Sequence, residues 1–194
     1  MKDLEETARK VIQQCLDPKE GEVFLVVTDP PTAKIGETLY RAAVSLKLKA
    51  HLLVMPETGK SGVEPTPLVA EAMKASQIVV CPTKHSLTHT GARKEACARG
   101  ARIATMPGIT EDMFLEGAIT ADYRKLAELT DRIAEILSRG SKVRIEKEGR
   151  VLELSIIGRK GVSSNGLYHT RGSFGNLPTG ESYIAPVEGS AEGS

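Results

Sequence analysis

Two histidines and a cysteine that could carry out chemistry lie close together near the middle of the sequence. His85 and His89 are four residues apart, a spacing that on a helix places both rings on one face, where they can hold zinc. Ser86 stands where such zinc sites usually carry a general-base Glu, so a polar helix start with histidines packed at a domain surface is the competing interpretation. Cys81 ends an apolar run nearby. It is conceivable as a thiolate nucleophile, although a small buried hydrophobe is the commoner role.

A third candidate is the triplet Gly59-Lys60-Ser61, which resembles the end of a phosphate-binding loop. That motif requires another glycine at position 54, where this chain has Val54. The ends of the predicted strands carry no G-x-G-x-x-G pattern either. The sequence therefore predicts neither a nucleotide site nor a dinucleotide site.

Apolar runs of strand length alternate with segments of helical periodicity through residues 1–140. The predicted strands are Val23–Thr28, His51–Met55, Gln77–Cys81 and Arg102–Thr105, with a helix around Thr88–Arg99 among the intervening segments. Strands alternating with helices predict a parallel sheet covered on both faces. Right-handed crossovers make it a Rossmann-like, doubly wound α/β sheet of about four strands. Ligands of such sheets bind at the carboxyl ends of the strands.

The pattern changes after Ser141, since nine of the 18 glycines fall in the last 54 residues and helical periodicity ends. Lys142–Lys147 and Arg150–Ile157 alternate polar and apolar residues around Glu148-Gly149, which predicts a β-hairpin. A hairpin followed by Gly-rich extended chain buries little apolar surface. We therefore predict an α/β domain at residues 1–140, and at residues 141–194 the beginning of a β-rich second domain.

Composition excludes several classes of function. The chain has 26 Lys and Arg against 25 Asp and Glu, and only seven aromatic residues (three Phe and four Tyr), which disfavours nucleic-acid binding. No apolar run is long enough to span a membrane, and the acidic start lacks the features of a signal peptide. Three cysteines without C-x-x-C spacing indicate neither structural zinc nor a disulfide framework. We expect a cytoplasmic protein.

The most specific stretch of the sequence is Gly175–Gly189. It contains Asn176-Leu177-Pro178, then Glu181, then Ala185-Pro186. A turn bracketed by prolines that carries one carboxylate is a way to hold an oxygen ligand rigidly. As a bare pattern, a solvated Glu in a turn is the commoner explanation.

This stretch resembles the N-L/M-P-x-x-E-V/Y-x-x-A-P signature of metal-dependent aminopeptidases of the aminopeptidase T/S type, often labelled leucyl aminopeptidase-like. Further matches follow in the same order along the chain, at Thr83–Thr90 with Ala92–Ala96, Ala101–Ile109 and Ala121-Asp122-Tyr123. The resemblance implies an α/β domain before a metal-bearing β-rich domain. It also implies two divalent ions (Zn, Co or Mn) per intact subunit and release of N-terminal amino acids from peptides.

The same resemblance assigns roles to particular residues. Glu181 matches the first carboxylate metal ligand. The remaining ligands, a second Glu, a Tyr, two His and an Asp, have no counterpart before Ser194, so this chain is expected to be truncated and inactive alone. Gly180 stands where the better-known peptidases often have an acidic residue. Lys84 and His85 are expected to line the cleft between domains, and the intact protein is expected to be a homodimer.

Two alternatives remain open. Ring-opening dioxygenases that act on dihydroxypyridines look similar in the same N-x-P-x-x-E region and use one non-haem iron, so the partner is a peptide or a small-molecule substrate. The other alternative makes residues 1–140 a binding or assembly module without catalysis, because the strand ends carry no pair of nucleophile and base.

Overall fold

The computed structural model describes residues 4–193. Its helices are α1 (Leu4–Leu16), α2 (Ala33–Ser45), α3 (Pro67–Lys74), α4 (Gly91–Ala98), α5 (Glu111–Glu116) and α6 (Tyr123–Arg139). Its strands are β1 (Val23–Thr28), β2 (Lys49–Val54), β3 (Ile78–Cys81), β4 (Arg102–Thr105), β5 (Lys142–Lys147), β6 (Arg150–Ser155), β7 (Val162–Ser164), β8 (Phe174–Asn176), β9 (Glu181–Tyr183) and β10 (Glu192–Gly193). None of the helices in this described part is long and apolar enough to cross a bilayer.

The chain divides into two compact units, each built from two separate stretches of sequence. The first unit comprises Met1–Ala121 and Gly166–Thr179, and the second comprises Asp122–Asn165 and Gly180–Ser194. The expected boundary near Gly140 lies inside the second unit. The division into domains at residue 140 stays a prediction.

The first unit contains a five-stranded parallel sheet in the order β2-β1-β3-β4-β8. This confirms the Rossmann-like α/β class. The sheet has one strand more than the four segments identified in the sequence, because β8 comes from the Gly-rich stretch that was predicted only as extended chain. Short as it is, β8 pairs in register with β4, from Ile103 opposite Phe174 to Thr105 opposite Asn176.

Helices cover both faces of this sheet, which explains why β1, β3 and β4 are almost wholly buried. One apolar cluster joins Leu25 and Val79 of the strands to Val69 of α3 and Ala96 of α4. On the other side, α1 packs against α2 and α5. The approach of α2 to β1 requires a glycine, since a Cβ at Gly36 would lie 2.8 Å from the Cβ of Thr28.

The second unit consists of α6 and short antiparallel strands. The predicted hairpin is confirmed as β5 and β6, and its turn residues Glu148 and Gly149 both have positive φ, 54° and 77°, as a two-residue hairpin of type I′ requires. Strand β10 adds to β6, and β7 pairs with β9 beside α6. Asp122 caps the start of α6, and its carboxylate accepts hydrogen bonds from the N–H groups of Arg124 and Lys125 in the first turn.

Candidate functional site

A buried carboxylate lies at the carboxyl end of β1, in the first unit. Asp29 is only 1% exposed; its Oδ1 accepts a hydrogen bond from the hydroxyl of Thr32 at 2.8 Å, and its Oδ2 accepts one from the backbone N–H of Lys84, also at 2.8 Å. A buried carboxylate is costly unless its oxygens are hydrogen-bonded. Asp29 therefore fixes the loop after β3 to the loop after β1, at the point of the sheet where ligands of doubly wound folds bind.

Three ionisable side chains lie together on the same edge of the sheet. The carboxylate of Glu57, after β2, is 2.7 Å from Nζ of Lys84 and 3.3 Å from Nε2 of His85. The hydrogen bond from Lys84 is the main cause of a lowered Glu57 pKa, and the one from His85 adds to it. The carboxylate faces Nε2 of the imidazole, so Nδ1 is the ring nitrogen turned away from it. Such a pairing can orient a histidine for proton transfer, and the neighbouring ammonium keeps the carboxylate ionised.

The zinc pair that His85 and His89 would form on one face of a helix finds no support in the structure. Both lie in the loop between β3 and α4, and α4 begins only at Gly91. The helix starts there because Thr90 caps it and the Glu64 carboxylate accepts hydrogen bonds from its first N–H groups. Within residues 4–193, no three His, Cys, Asp or Glu side chains gather into a group that could hold a metal ion.

Cys81 behaves as the buried hydrophobe that was its commoner interpretation. It is fully buried in the sheet, and this burial raises the pKa of its thiol to about 12. A thiol with so high a pKa has almost no thiolate at neutral pH, so the arrangement gives no support to a nucleophile. Ser61 of the Gly59-Lys60-Ser61 triplet accepts a hydrogen bond from the N–H of Ser86 at 3.1 Å, which ties its loop to the β3–α4 loop.

Strand β8 ends at Asn176, the first residue of the signature, and is held by side-chain contacts within the first unit. Oδ1 of Asn176 accepts hydrogen bonds from the hydroxyls of Thr105 at 2.6 Å and Thr88 at 2.9 Å. Its carbonyl oxygen accepts one from the hydroxyl of Tyr168 at 2.7 Å. The buried guanidinium of Arg93 lies 3.7 Å from the ring centroid of Phe174, the first residue of β8. Asn176 thus links β8 to β4 and to the β3–α4 loop.

Glu181, the predicted metal ligand, lies in the second unit. It is the first residue of β9, it pairs with Ser164 of β7, and its side chain is exposed. The next residue is anchored, since the hydroxyl of Ser182 donates to the carbonyl of Thr130 on α6 at 2.7 Å. The strand gives Glu181 a fixed backbone position. Its role as a metal ligand stays a prediction.

The residue before it, Gly180, has a conformation that restricts substitution. Its φ is +147°, and a Cβ there would lie 2.6 Å from Cδ2 of Leu126. Any L-residue at this position would be strained by its backbone and crowded by α6. The acidic residue that many aminopeptidases carry here does not fit the backbone of this chain.

The first unit also contains an open cleft of 380 Å³. It lies between the loop that leads from β1 into α2 and the loop that leads from β4 into α5. Its lining residues are Pro31, Thr32, Lys34, Ile35, Ile109, Thr110, Glu111 and Asp112. The volume is that of a small-ligand pocket. Lys34 and Glu111 form an ion pair in the lining, so the cleft carries both charges.

Sequence reasoning missed the structural roles of the Asp29 and Asn176 side chains. The Asp29 carboxylate makes no hydrogen bond to the first N–H groups of the helical turn that follows it, so a local capping pattern would not have revealed its partners. For Asn176 the signal was its position as the first residue of the signature. Its threonine partners are 71 and 88 residues away in the sequence, and no local pattern reveals them.

Comparison with known proteins decides the family. The model of the family described as NicX: 2,5-dihydroxypyridine 5,6-dioxygenase matches residues 4–194. The chain belongs to the NicX family. This is the group named as the dioxygenase alternative, whereas the aminopeptidase resemblance was the first interpretation of the same signature. A search of the curated proteins finds no significant match.

Two solved structures share the fold of this NicX-family chain. One is 2,5-dihydroxypyridine dioxygenase from Pseudomonas putida KT2440, with a TM-score of 0.75, 17% identity, and coverage of 97% of this chain and 57% of that one. The other is wild-type AmpT from Thermus thermophilus, with a TM-score of 0.64, 15% identity, and coverage of 98% and 63%. The chain thus spans less than two thirds of either protein. At these identities the likeness shows the α/β fold, which both proteins share with this chain.

Proposed function

We propose that this chain is the α/β portion of a ring-cleaving dioxygenase that acts on a small hydroxylated aromatic ring of the dihydroxypyridine or catechol type. The observation that carries the proposal is the NicX-family match over residues 4–194. The higher TM-score to the dioxygenase than to AmpT supports the same choice. The chemistry is proposed for the whole protein, because the chain spans only 57% of the solved dioxygenase.

The resemblance implies one non-haem iron for this reaction. A protein-bound iron or zinc ion takes about three or more side-chain ligands, and the described residues bring no such group together. Glu181 alone is an exposed carboxylate on β9. The residues present therefore do not form the metal site by themselves. The proposed contribution of this chain to the metal site is Glu181.

Release of N-terminal amino acids is the second candidate function. The signature from Asn176 to Pro186 and the fold shared with AmpT favour it. Gly180 counts against it, since its φ of +147° would strain the acidic residue of many aminopeptidases and Leu126 would have to shift to admit it. A binding or assembly module without catalysis is the outcome if neither reaction occurs.

The test uses the protein expressed from its complete gene. It is loaded anaerobically with Fe(II) and given 2,5-dihydroxypyridine or a catechol, and oxygen uptake and loss of ring absorbance are recorded. In parallel, the protein with Zn, Co or Mn is assayed for release of p-nitroaniline from leucyl-p-nitroanilide. We expect iron-dependent oxygen uptake and no amine release; amine release with zinc or cobalt would establish the second candidate instead.

A companion experiment examines the 194-residue chain. We expect negligible turnover in both assays with any of the four metals. Glu181→Gln provides the matched variant, since it keeps the shape and removes the charge. Robust metal-dependent turnover by the chain, lost in Glu181→Gln, would show that these residues already contain a complete site.

A further inference from the structure

The open cleft of the first unit lies where the strand order of the sheet reverses. The chain forms β2 on one side of β1 and then β3 on the other side. In open parallel sheets, ligands bind at the carboxyl ends of the strands beside such a reversal. The walls of the cleft are the loops that follow β1 and β4, and β3 lies between these two strands in the sheet. The cleft therefore occupies the place at which this fold binds ligands.

Both walls of the cleft are fastened to the loop that follows β3. On one wall, the hydroxyl of Thr32 donates a hydrogen bond to the carbonyl of Pro82 at 2.5 Å. On the other wall, the N–H of Gly108 donates to the carbonyl of Thr83 at 2.9 Å. The cleft is thus formed before any ligand enters, which lowers the entropic cost of binding.

The lining combines apolar and charged side chains. Ile35 and Ile109 line the cleft from buried positions. Lys34 of α2 and the carboxylates of Glu111 and Asp112 of α5 line it from exposed positions. Lys34 and Glu111 form an ion pair that joins the two walls. One positive and two negative charges therefore lie beside an apolar surface.

These charges select the kind of molecule that fits. The side chains of Lys34 and Glu111 are 65% and 45% exposed, and an ion pair so exposed contributes little to stability, so a ligand can separate the two groups at small cost. Such a ligand must supply a carboxylate for Lys34 and a protonated nitrogen for Glu111. Asp112 adds attraction for the cationic end and disfavours ligands that carry only negative charge. Pro31 and Ile35 provide surface for an apolar body between the two ends.

We propose that this cleft binds a small zwitterion, a molecule with a protonated amine and a carboxylate on a compact apolar body, of which a free aliphatic amino acid is the simplest example. Lys34 binds the carboxylate, and Glu111 and Asp112 bind the ammonium group. The proposal concerns the first unit alone. It requires neither a metal ion nor the reaction proposed above, so each can fail without the other.

The first test titrates the isotope-labelled 194-residue chain with valine and follows the amide chemical shifts by NMR at neutral pH and constant ionic strength. We expect saturable shifts in the segments that line the cleft, residues 32–35 and 109–112. The dissociation constant should be about 1 mM, which lies in the range open to a ligand of so few atoms. Isobutylamine lacks the carboxylate and isovalerate lacks the ammonium group, so each should bind about tenfold more weakly or worse. If either binds as tightly as valine, the proposal is overturned, because the cleft then recognises a single charge.

The second test removes the charges of the cleft one at a time. Lys34→Met and Asp112→Asn keep the approximate size of each side chain, and each should weaken the binding of valine about fivefold or more. Lys94→Met on α4 and Glu116→Gln on α5 are the matched controls, since both residues are exposed and lie outside the lining; they should leave the affinity unchanged. Circular dichroism confirms that each variant is folded. The proposal is overturned if valine causes no saturable shifts in the two segments, if Lys34→Met binds valine as the original chain does, or if the controls weaken binding equally.

Discussion

The hydroxyl of Thr105 donates a hydrogen bond of 2.6 Å to Oδ1 of Asn176, and this contact joins the last residues of β4 and β8. Asn176 opens the signature on which both enzyme resemblances depend. In this chain its side chain is engaged by two threonines. Its part is to hold a strand of three residues in the sheet, from which the chain continues toward Glu181.

Removing this contact should loosen β8. Thr105→Val keeps the shape of the side chain and removes the hydroxyl, and we expect a loss of about 1–2 kcal/mol in the free energy of unfolding. Asn176→Ala should cost at least as much. The double variant should lose less than the sum, with a coupling of about 0.5 kcal/mol or more, because both changes remove the same bond. Urea unfolding measures all three variants, with Lys94→Ala at an exposed position as the control. Strictly additive losses would show that Thr105 and Asn176 do not stabilise the chain through a shared hydrogen bond.

Asp29 should be among the most sensitive polar residues of the first unit. Asp29→Ala leaves the N–H of Lys84 without its acceptor, whereas the hydroxyl of Thr32 keeps the carbonyl of Pro82 at 2.5 Å, and we expect a loss of about 1–3 kcal/mol. Asp29→Asn keeps the volume and one acceptor, so it should lie between the alanine variant and the original chain. Glu116→Ala, which removes an exposed carboxylate, should change the stability by less than about 0.5 kcal/mol. An Asp29→Ala variant as stable as that control would show that the buried carboxylate is dispensable.

Gly180 should resist replacement more than Gly189, another glycine of the second unit with positive φ. Gly180→Ala introduces both the strain of φ +147° and a contact of 2.6 Å with Leu126, and should cost about 2–3 kcal/mol. Gly189→Ala is the matched comparison, because Gly189 also has positive φ, +73°, and a Cβ added there would meet no atom within 4 Å. It should report the backbone strain alone, about 1 kcal/mol. Equal losses of unfolding free energy, measured with urea, would indicate that Leu126 of α6 moves aside at little cost when position 180 gains a side chain.

The Glu57 carboxylate provides a prediction about pH. Its pKa is held below the ordinary value of 4.5, chiefly by the hydrogen bond from Lys84. The stabilisation from this pair is therefore fully present above pH 4.5 and is lost as the pH falls through the lowered pKa. In Lys84→Met the pKa of Glu57 should rise toward its ordinary value, measured by NMR titration of the side-chain carboxyl carbon. The pKa of Glu188, which is lowered by other groups including Arg159, should not move in the same variant.

Parts of both units follow from local sequence. Val23–Thr28 is predicted and found as a buried strand, because a continuous run of apolar and β-branched residues between turn residues has few alternatives. The hairpin at Glu148-Gly149 follows from alternation and from a turn that accepts positive φ. In both cases the information lies within a few neighbouring residues.

The rest depends on contacts that are distant in sequence. Phe174–Asn176 is too short to show any periodicity, and it becomes a strand only because β4, Thr88 and Tyr168 hold it in place. The start of α4 was misplaced for a similar reason, since Glu64, 27 residues before Gly91, completes its cap. The two histidines therefore lie in a loop. The position of Glu181 was identified by resemblance, and the partners of Asp29 only by the structure.

The place of β8 in the chain has a consequence for synthesis on the ribosome. β4 ends at Thr105, and the strand that completes the sheet beside it ends 71 residues later. At translation rates of about 5–20 residues per second, the nascent polypeptide spends roughly 4–14 s with β4 as an unpaired edge strand of the sheet. During that interval β4 can pair with a wrong strand. A chaperone that shields nascent chains would have its greatest effect on this protein between the emergence of Thr105 and that of Asn176.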